Sequence, residues 1–403
     1  MMRPHSLAMN QIRRDAPSPP PLSGARREGI APAKEEIDAL TGLRGVAAVL
    51  VAIYHIYPPA DFPWGLRQII ARSYLSVDVF FVLSGFVMAL NYGGMFRNGF
   101  RREAFLTFML RRLARLYPLY IVFLALRVGY SLIAYGSLQV PGCWFAVDLP
   151  HPALSLLANA AMVQSWGIAT AITNPTWSVS VEWGVYFLFP WLALATLHGR
   201  PWHAWLACAM AAALIALVGW LTAHDGGWHN GVLDAYDGRT PSPMLRCLGG
   251  FILGLALYRL YGWGPARRLA AAGWGWLVAA YLLAGVLLQW SDYALYAGFP
   301  LLILALACDR GWLGRLLAWG PVFQAGVLSY AIYVIHNPWI GLFQWSRRVL
   351  PGHMPGWLAE TVIALGLAGS ILGAAMLLHR LVEVPGRRWV RRLAPFRAAQ
   401  PRS

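Results

Sequence analysis

Arg44 and His55 stand eleven residues apart at the two ends of the run LRGVAAVLVAIYH. On a helix that advances about 100° and 1.5 Å per residue, this spacing puts both side chains on nearly one face, about 16 Å apart along the axis. The guanidinium is a permanent cation whose paired donors suit phosphate or carboxylate oxygens. The imidazole exchanges a proton near neutral pH. An ionisable ring among apolar residues costs free energy unless it is paired, so His55 either meets a neighbouring helix or does chemistry.

Further ionisable groups interrupt other apolar runs. SVDVFFVLSGFVMALNY carries Asp78 and, seven residues on, Gly85, which either lets another helix come close enough for the carboxylate to find a partner or leaves Asp78 simply capping the helix end. RRLARLYP sets Arg112 and Arg115 on one face ahead of Pro118, a fork for phosphate or a pair of headgroup anchors. NPTWSVSVEWGVYF brings Glu182 into a span beside Ser178 and Ser180, where it either stabilises an imidazolium or sits as a hydrogen-bonded buried acid. RCLGGFILG aligns Arg246, Gly250 and Gly254 by steps of four, which close packing alone explains. LSYAIYVIHNPW places Ser329, Tyr333 and His336 on one face, lining a cavity or a helix contact.

These residues need a membrane bundle to hold them. Of 403 residues 58% are hydrophobic and 12% charged, and the mean hydropathy of +0.51 is too high for a soluble globule of this length. The net charge of +16 does not point to nucleic acid, because the arginines gather at the ends of apolar runs. Anionic lipid headgroups and phosphates are the expected partners. The fold class expected is all-α, a polytopic integral membrane bundle of about ten transmembrane helices. They fall near 43–60, 75–92, 113–136, 178–197, 204–222, 244–261, 270–289, 293–308, 321–343 and 358–381.

The arginine bias puts both termini in the cytoplasm. In that orientation Arg44, Arg112 and Arg115 lie at the cytoplasmic edge, while His55, Asp78, Glu182 and His336 lie in the outer half. Residues 1–38 read as a disordered basic tail, 39–385 as the membrane domain and 386–403 as a second basic tail. The four cysteines show neither paired nor metal-ligand spacing, so no disulfide or metal is expected.

Taken in order, Arg44 with His55, SVDVFFVLSGF, Arg112 with Arg115 and Pro118, WSVSVE, SYAIYVIH and VEVPGRRW resemble the membrane-bound acyltransferase-3 family over residues 38–392. The resemblance implies a ten-helix bundle in the bacterial inner (cell) membrane. It would use acyl-CoA, usually acetyl-CoA, to O-acylate saccharides and related acceptors, lipid-linked or free. It also implies His55 as the catalytic residue and Arg44, Arg112 and Arg115 at the coenzyme site. Some members carry an esterase-like domain after the bundle. This chain has none before Ser403, so transfer is expected to finish in the bundle or with another protein of polysaccharide assembly.

Acyl transfer from a thioester to a hydroxyl needs a base for the alcohol proton and a donor environment for the oxyanion. His55 supplies the base in this reading, Asp78 and Glu182 support it, and Tyr333 and His336 line the substrate path. A covalent acyl-imidazole satisfies the sequence equally well. The competing class is a proton-coupled secondary transporter of a small anion or sugar, since intramembrane His, Asp and Glu also build proton relays. The internal repeat such a transporter would want is not evident.

Overall fold

The computed structural model describes residues 34–55, 63–135, 151–173, 175–226, 230–308, 311–349 and 356–392. Of the expected tails, 1–33 and 393–403 lie outside the described residues, whereas 34–38 and 386–392 are helical. Every regular element among the described residues is helical, the arrangement that satisfies backbone N–H and C=O groups without water. In chain order these are α1 (Lys34–Tyr54), α2 (Trp64–Arg72), α3 (Ser76–Tyr92), α4 (Arg102–Tyr135), α5 (Pro152–Ala160), α6 (Thr176–Leu197), α7 (Trp202–His224), α8 (Ser242–Tyr261) and α9 (Gly264–Ala270). Then follow α10 (Gly275–Leu287), α11 (Asp292–Cys308), α12 (Trp312–Leu317), α13 (Gly320–Val327), α14 (Ser329–Ile335), α15 (Asn337–Val349), α16 (Gly356–Leu378), a π turn (His379–Glu383) and α17 (Val384–Arg392).

Among the described residues, six helical stretches are long and apolar enough to cross a membrane: Trp64–Phe96, Arg102–Ile133, Thr176–Leu197, Trp202–His224, Ser242–Tyr261 and Leu358–Val390. They coincide with the second to sixth and the tenth of the expected spans. α9 and α10 make a seventh if that pair, bent by 68°, counts as one. The remaining expected spans are modified. α1 ends at Tyr54, shortly before Pro58 and Pro59, which cannot continue a helix. α11 has only 17 residues. The apolar run 321–343 breaks into α13, α14 and α15, with Pro338 just inside the last of these. At the C-terminus α17 carries helix to Arg392, past the expected domain boundary at 385.

Two close crossings position the chemistry. α3 and α8 pack so tightly that a Cβ on Gly85 would lie 2.0 Å from the Phe251 carbonyl oxygen, and one on Gly254 would lie 2.1 Å from that of Val82. A methyl at either position would push the helices apart. α17 meets α4 where a Cβ on Gly386 would lie 2.4 Å from Cβ of Pro118. Pro385 lacks an N–H and crowds the carbonyl four residues back, and the π turn that precedes it widens the helix there. α1 is buried between α3 on one side and α12, α13 and α14 on another.

Candidate active site

Where α4 and α17 cross, two guanidiniums and an imidazole meet one carboxylate, Glu383. Glu383, at the end of the π turn, is fully buried. Its Oε1 accepts from Arg387 and pairs with Arg115 Nη1 at 3.2 Å, and its Oε2 lies 2.9 Å from His379 Nδ1. Arg44 from α1 interacts electrostatically with Glu182, Arg112, Tyr186 and Glu383. Arg112 lies over the rings of Tyr186 at 5.3 Å and Tyr92 at 5.8 Å, a cation–π arrangement, and approaches Met88 Sδ at 3.3 Å. The Nε atoms of Arg112 and Arg387 are buried with no hydrogen-bond partner among the described residues. Four cations against two carboxylates leave a positive surplus with spare donors, a fit for an anion bearing several oxygens. Arg44, Arg112 and Arg115 therefore come together as their spacing suggested. Glu383 and Arg387 were not singled out from sequence, although both lie in VEVPGRRW.

A cavity of ≈ 120 Å³ starts at Arg44, Arg112 and Arg115 and runs between α3, α4, α6 and α14. Glu182, Tyr186, Ser84, Ser178, Ser329 and Tyr333 also line it. It is therefore the polar stripe of α14 that faces this space. At its far end the Tyr333 hydroxyl lies 2.6 Å from Ser178 Oγ. The Tyr333 ring is 6.0 Å from that of His336, which belongs to the next helical turn. Neither His55 nor His336 lines the cavity, and Tyr333 is the lining residue in ring contact with His336.

Beyond Tyr333, His55 and His336 face each other. Their ring centroids are 4.8 Å apart, and His336 Nε2 lies 3.2 Å from His55 Nδ1. The same Nδ1 lies 2.9 Å from the Val51 carbonyl oxygen. A carbonyl can only accept, so Nδ1 of His55 carries the proton and its Nε2 keeps a lone pair. His336 is buried, and its Nδ1 has no partner among the described residues. One face of α1 thus connects a cationic end at Arg44 with a proton-transfer end at His55.

The two carboxylates expected near His55 are engaged elsewhere. Asp78 is wholly buried and receives Arg246 at both oxygens, Nε to Oδ1 at 2.8 Å and Nη2 to Oδ2 at 2.6 Å. This is the partner that Gly85 was expected to admit, brought by the α3–α8 crossing. Glu182 does not sit with the imidazoles in an outer cluster. Its Oε1 accepts from Ser84 and from the Tyr186 hydroxyl at 2.6 Å, and it faces Arg44. The reason is helical phase: Glu182 and Tyr186 are four residues apart on α6, on the face turned to the cavity.

The carboxylate whose charge bears on His55 is instead Asp234, in the loop before α8, which was not singled out from sequence. Its Oδ2 accepts from the Tyr54 hydroxyl at 3.2 Å and from the backbone N and Nδ2 of Asn230 at 3.1 and 3.0 Å.

The described helices thus form an apolar bundle with guanidiniums lining a cavity and a pair of imidazoles outside that lining. The acyltransferase-3 family model, described as an acyltransferase domain, matches residues 37–380, and the chain belongs to that family. It is therefore a multi-pass membrane acyltransferase. It is 29% identical over 391 residues to acyltransferase MdmB of Streptomyces mycarofaciens, covering 90% of this chain and 95% of that protein. It is 25% identical over 335 residues to the putative peptidoglycan O-acetyltransferase YrhL of Bacillus subtilis, covering 76% of this chain and 49% of that one. With the O-acetyltransferase OatA of Staphylococcus aureus it shares 23% identity over 382 residues, 87% of this chain and 57% of the relative. The chain thus spans about half the length of these last two relatives. No solved structure matches significantly.

Proposed function

We propose that this protein moves an acetyl group from acetyl-CoA to a hydroxyl of a saccharide of the cell surface, free or lipid-linked, in the bacterial inner membrane with both termini in the cytoplasm. In that frame α1, the bent α9–α10 pair, α11 and the broken α13–α15 stretch complete about ten crossings. The observation that carries the reading is the pair of sites on one face of α1: surplus guanidiniums around Arg44 and a proton acceptor at His55 Nε2.

Arg44, Arg112, Arg115 and Arg387 would hold the donor's phosphates, with the two orphaned Nε donors available to their oxygens. The acyl arm would lie along the cavity toward Tyr333. His55 Nε2 takes the acceptor's hydroxyl proton as its oxygen attacks the thioester carbonyl. The carbon–sulfur bond then breaks, and the imidazolium returns the proton to the departing thiolate, so atoms and charge balance. His336 orients the base from its Nδ1 side. The Ser178 hydroxyl, beside Tyr333, favours the negative charge that develops on the carbonyl oxygen.

The test is purified protein reconstituted in sealed lipid vesicles with radiolabelled acetyl-CoA and a glycan fraction from the source cells. Label in the glycan that depends on His55 supports the reading. Label carried into sealed vesicles without transfer points to a transporter. Protein that neither transfers nor moves label overturns the assignment of donor and acceptor.

A further inference from the structure

Two ion pairs, one wholly and one partly buried, converge on one short stretch of the loop between α7 and α8. In the first, Arg246 binds Asp78 and also donates from Nη1 to the Ala235 carbonyl at 3.1 Å. In the second, Asp292 receives Arg72 at 2.5 Å and the Tyr74 hydroxyl at 2.7 Å through Oδ1, while its Oδ2 accepts from the Leu233 backbone N at 2.8 Å. Leu233 and Ala235 are the two neighbours of Asp234. Each is tied down by a charged side chain, and an Asp234 N–H bond to the Gly231 carbonyl at 3.1 Å closes the turn. Asp234 itself is 4% exposed, so its carboxylate is fixed in direction on both sides.

That direction is toward α1. The carboxylate accepts from the Tyr54 hydroxyl, and the Tyr54 ring stands edge-on to the His55 ring at a centroid distance of 5.0 Å. Asn230 braces the same pair, donating from Nδ2 to the Tyr54 hydroxyl at 2.5 Å and to Asp234 at 3.0 Å. Asp78 is committed to Arg246 and Glu182 to Ser84 and Tyr186, while Asp234 is joined to the His55 ring through Tyr54.

We propose that Asp234 is the positioning residue of the proton-transfer site: it holds Tyr54 against the His55 ring and supplies the counter-charge for the imidazolium formed during transfer. The Asp78–Arg246 and Arg72–Asp292 pairs hold it in place. Asp78 thus acts on His55 at second hand, through Arg246, Ala235 and Asp234. This inference rests on His55 being the base.

The experiment compares D234N, D234E, Y54F, D234N/Y54F and H55A in nanodiscs, with radiolabelled acetyl-CoA and the source-cell glycan fraction. D234N keeps the shape and an acceptor oxygen but removes the charge. It is expected to lower kcat by tenfold or more, with the KM for acetyl-CoA and the thermal unfolding midpoint unchanged. D234E should recover part of the rate. Y54F should lower kcat less, and the double variant should fall short of the product of the two single effects, because both act through one contact. Full kcat in D234N overturns the proposal while H55A remains inactive. So does a loss in D234N that follows loss of folded protein and is not relieved in D234E, or a fully multiplicative double variant. An active H55A removes the base reading itself, and this inference falls with it.

Discussion

His336 Nε2 lies 3.2 Å from His55 Nδ1, on the side of the His55 ring that the Val51 carbonyl also occupies. The two imidazoles therefore do not compete for one substrate proton. His336 and Val51 both face the protonated nitrogen of His55, and the reactive lone pair points away from them.

For His55→Ala we expect no transfer above background, with unchanged expression and thermal unfolding, since the ring is half-buried and fills little core. His336→Asn retains a polar group but loses the ring. It should cost ~10²-fold in kcat, at the low end of what positioned acid–base groups contribute. Steady-state transfer kinetics check both, and a His336 variant at full rate removes it from the site.

Arg112→Ala and Arg115→Ala are expected to raise the KM for acetyl-CoA more than they lower kcat. A charge-assisted hydrogen bond contributes ~1.5–3 kcal/mol, so each loss corresponds to roughly 10–100-fold in affinity. Arg115→Lys should restore little, because an ammonium cannot address Glu383 and a ligand oxygen with a planar fork. Coenzyme titration of the immobilised protein gives the answer. Undiminished binding by Arg115→Ala takes that residue out of the donor site.

The buried Asp78–Arg246 pair makes a stability prediction. Asp78→Ala strands a guanidinium that is 1% exposed, at a cost of ~3–5 kcal/mol. Asp78→Leu combined with Arg246→Met removes both charges and should recover most of that stability. It should not recover activity, because the tie to the Ala235 carbonyl goes with Arg246. Thermal unfolding alongside transfer rates separates the two effects, and full activity in the double variant contradicts the chain of contacts from Asp78 to His55.

Tyr333 stands between the cavity and the imidazoles. Tyr333→Phe loses the Ser178 contact, a matter of ~1 kcal/mol, and should stay active. Tyr333→Ala opens the wall, so water should reach the thioester and the ratio of free acetate to transferred acetate should rise. Product partition measures it. An unchanged ratio means that Tyr333 screens nothing.

Much of this was legible in sequence because membrane helices write their faces plainly. Gly85 seven residues from Asp78, and Gly254 eight from Arg246, are two halves of one crossing; only the pairing of the halves had to come from three dimensions. Arg44, Arg112 and Arg115 were readable as a cationic end for the same reason. Asp234 was not, since a loop has no periodicity and its direction is set by ion pairs whose four members lie on other elements. Glu383 lay hidden because a π turn shifts helical phase, so a carboxylate counted at 3.6 residues per turn points the wrong way. Glu182 was misplaced because depth along a span says nothing about which end of a cavity the side chain serves. The ninth span read as continuous because apolar residues fill 321–343, and only Pro338 marked its break.

One consequence follows from where α1 stops. The Val51 carbonyl lies in the last turn of α1, which closes at Tyr54, and it accepts from the side chain of His55 one turn further on. The tautomer of the ring is thereby set by a backbone oxygen of its own helix. The negative pole of the helix also faces the place where positive charge develops in the reaction. Unwinding this last turn would carry the Val51 carbonyl away from the ring, leaving the composition of the site intact and its proton on an undetermined nitrogen.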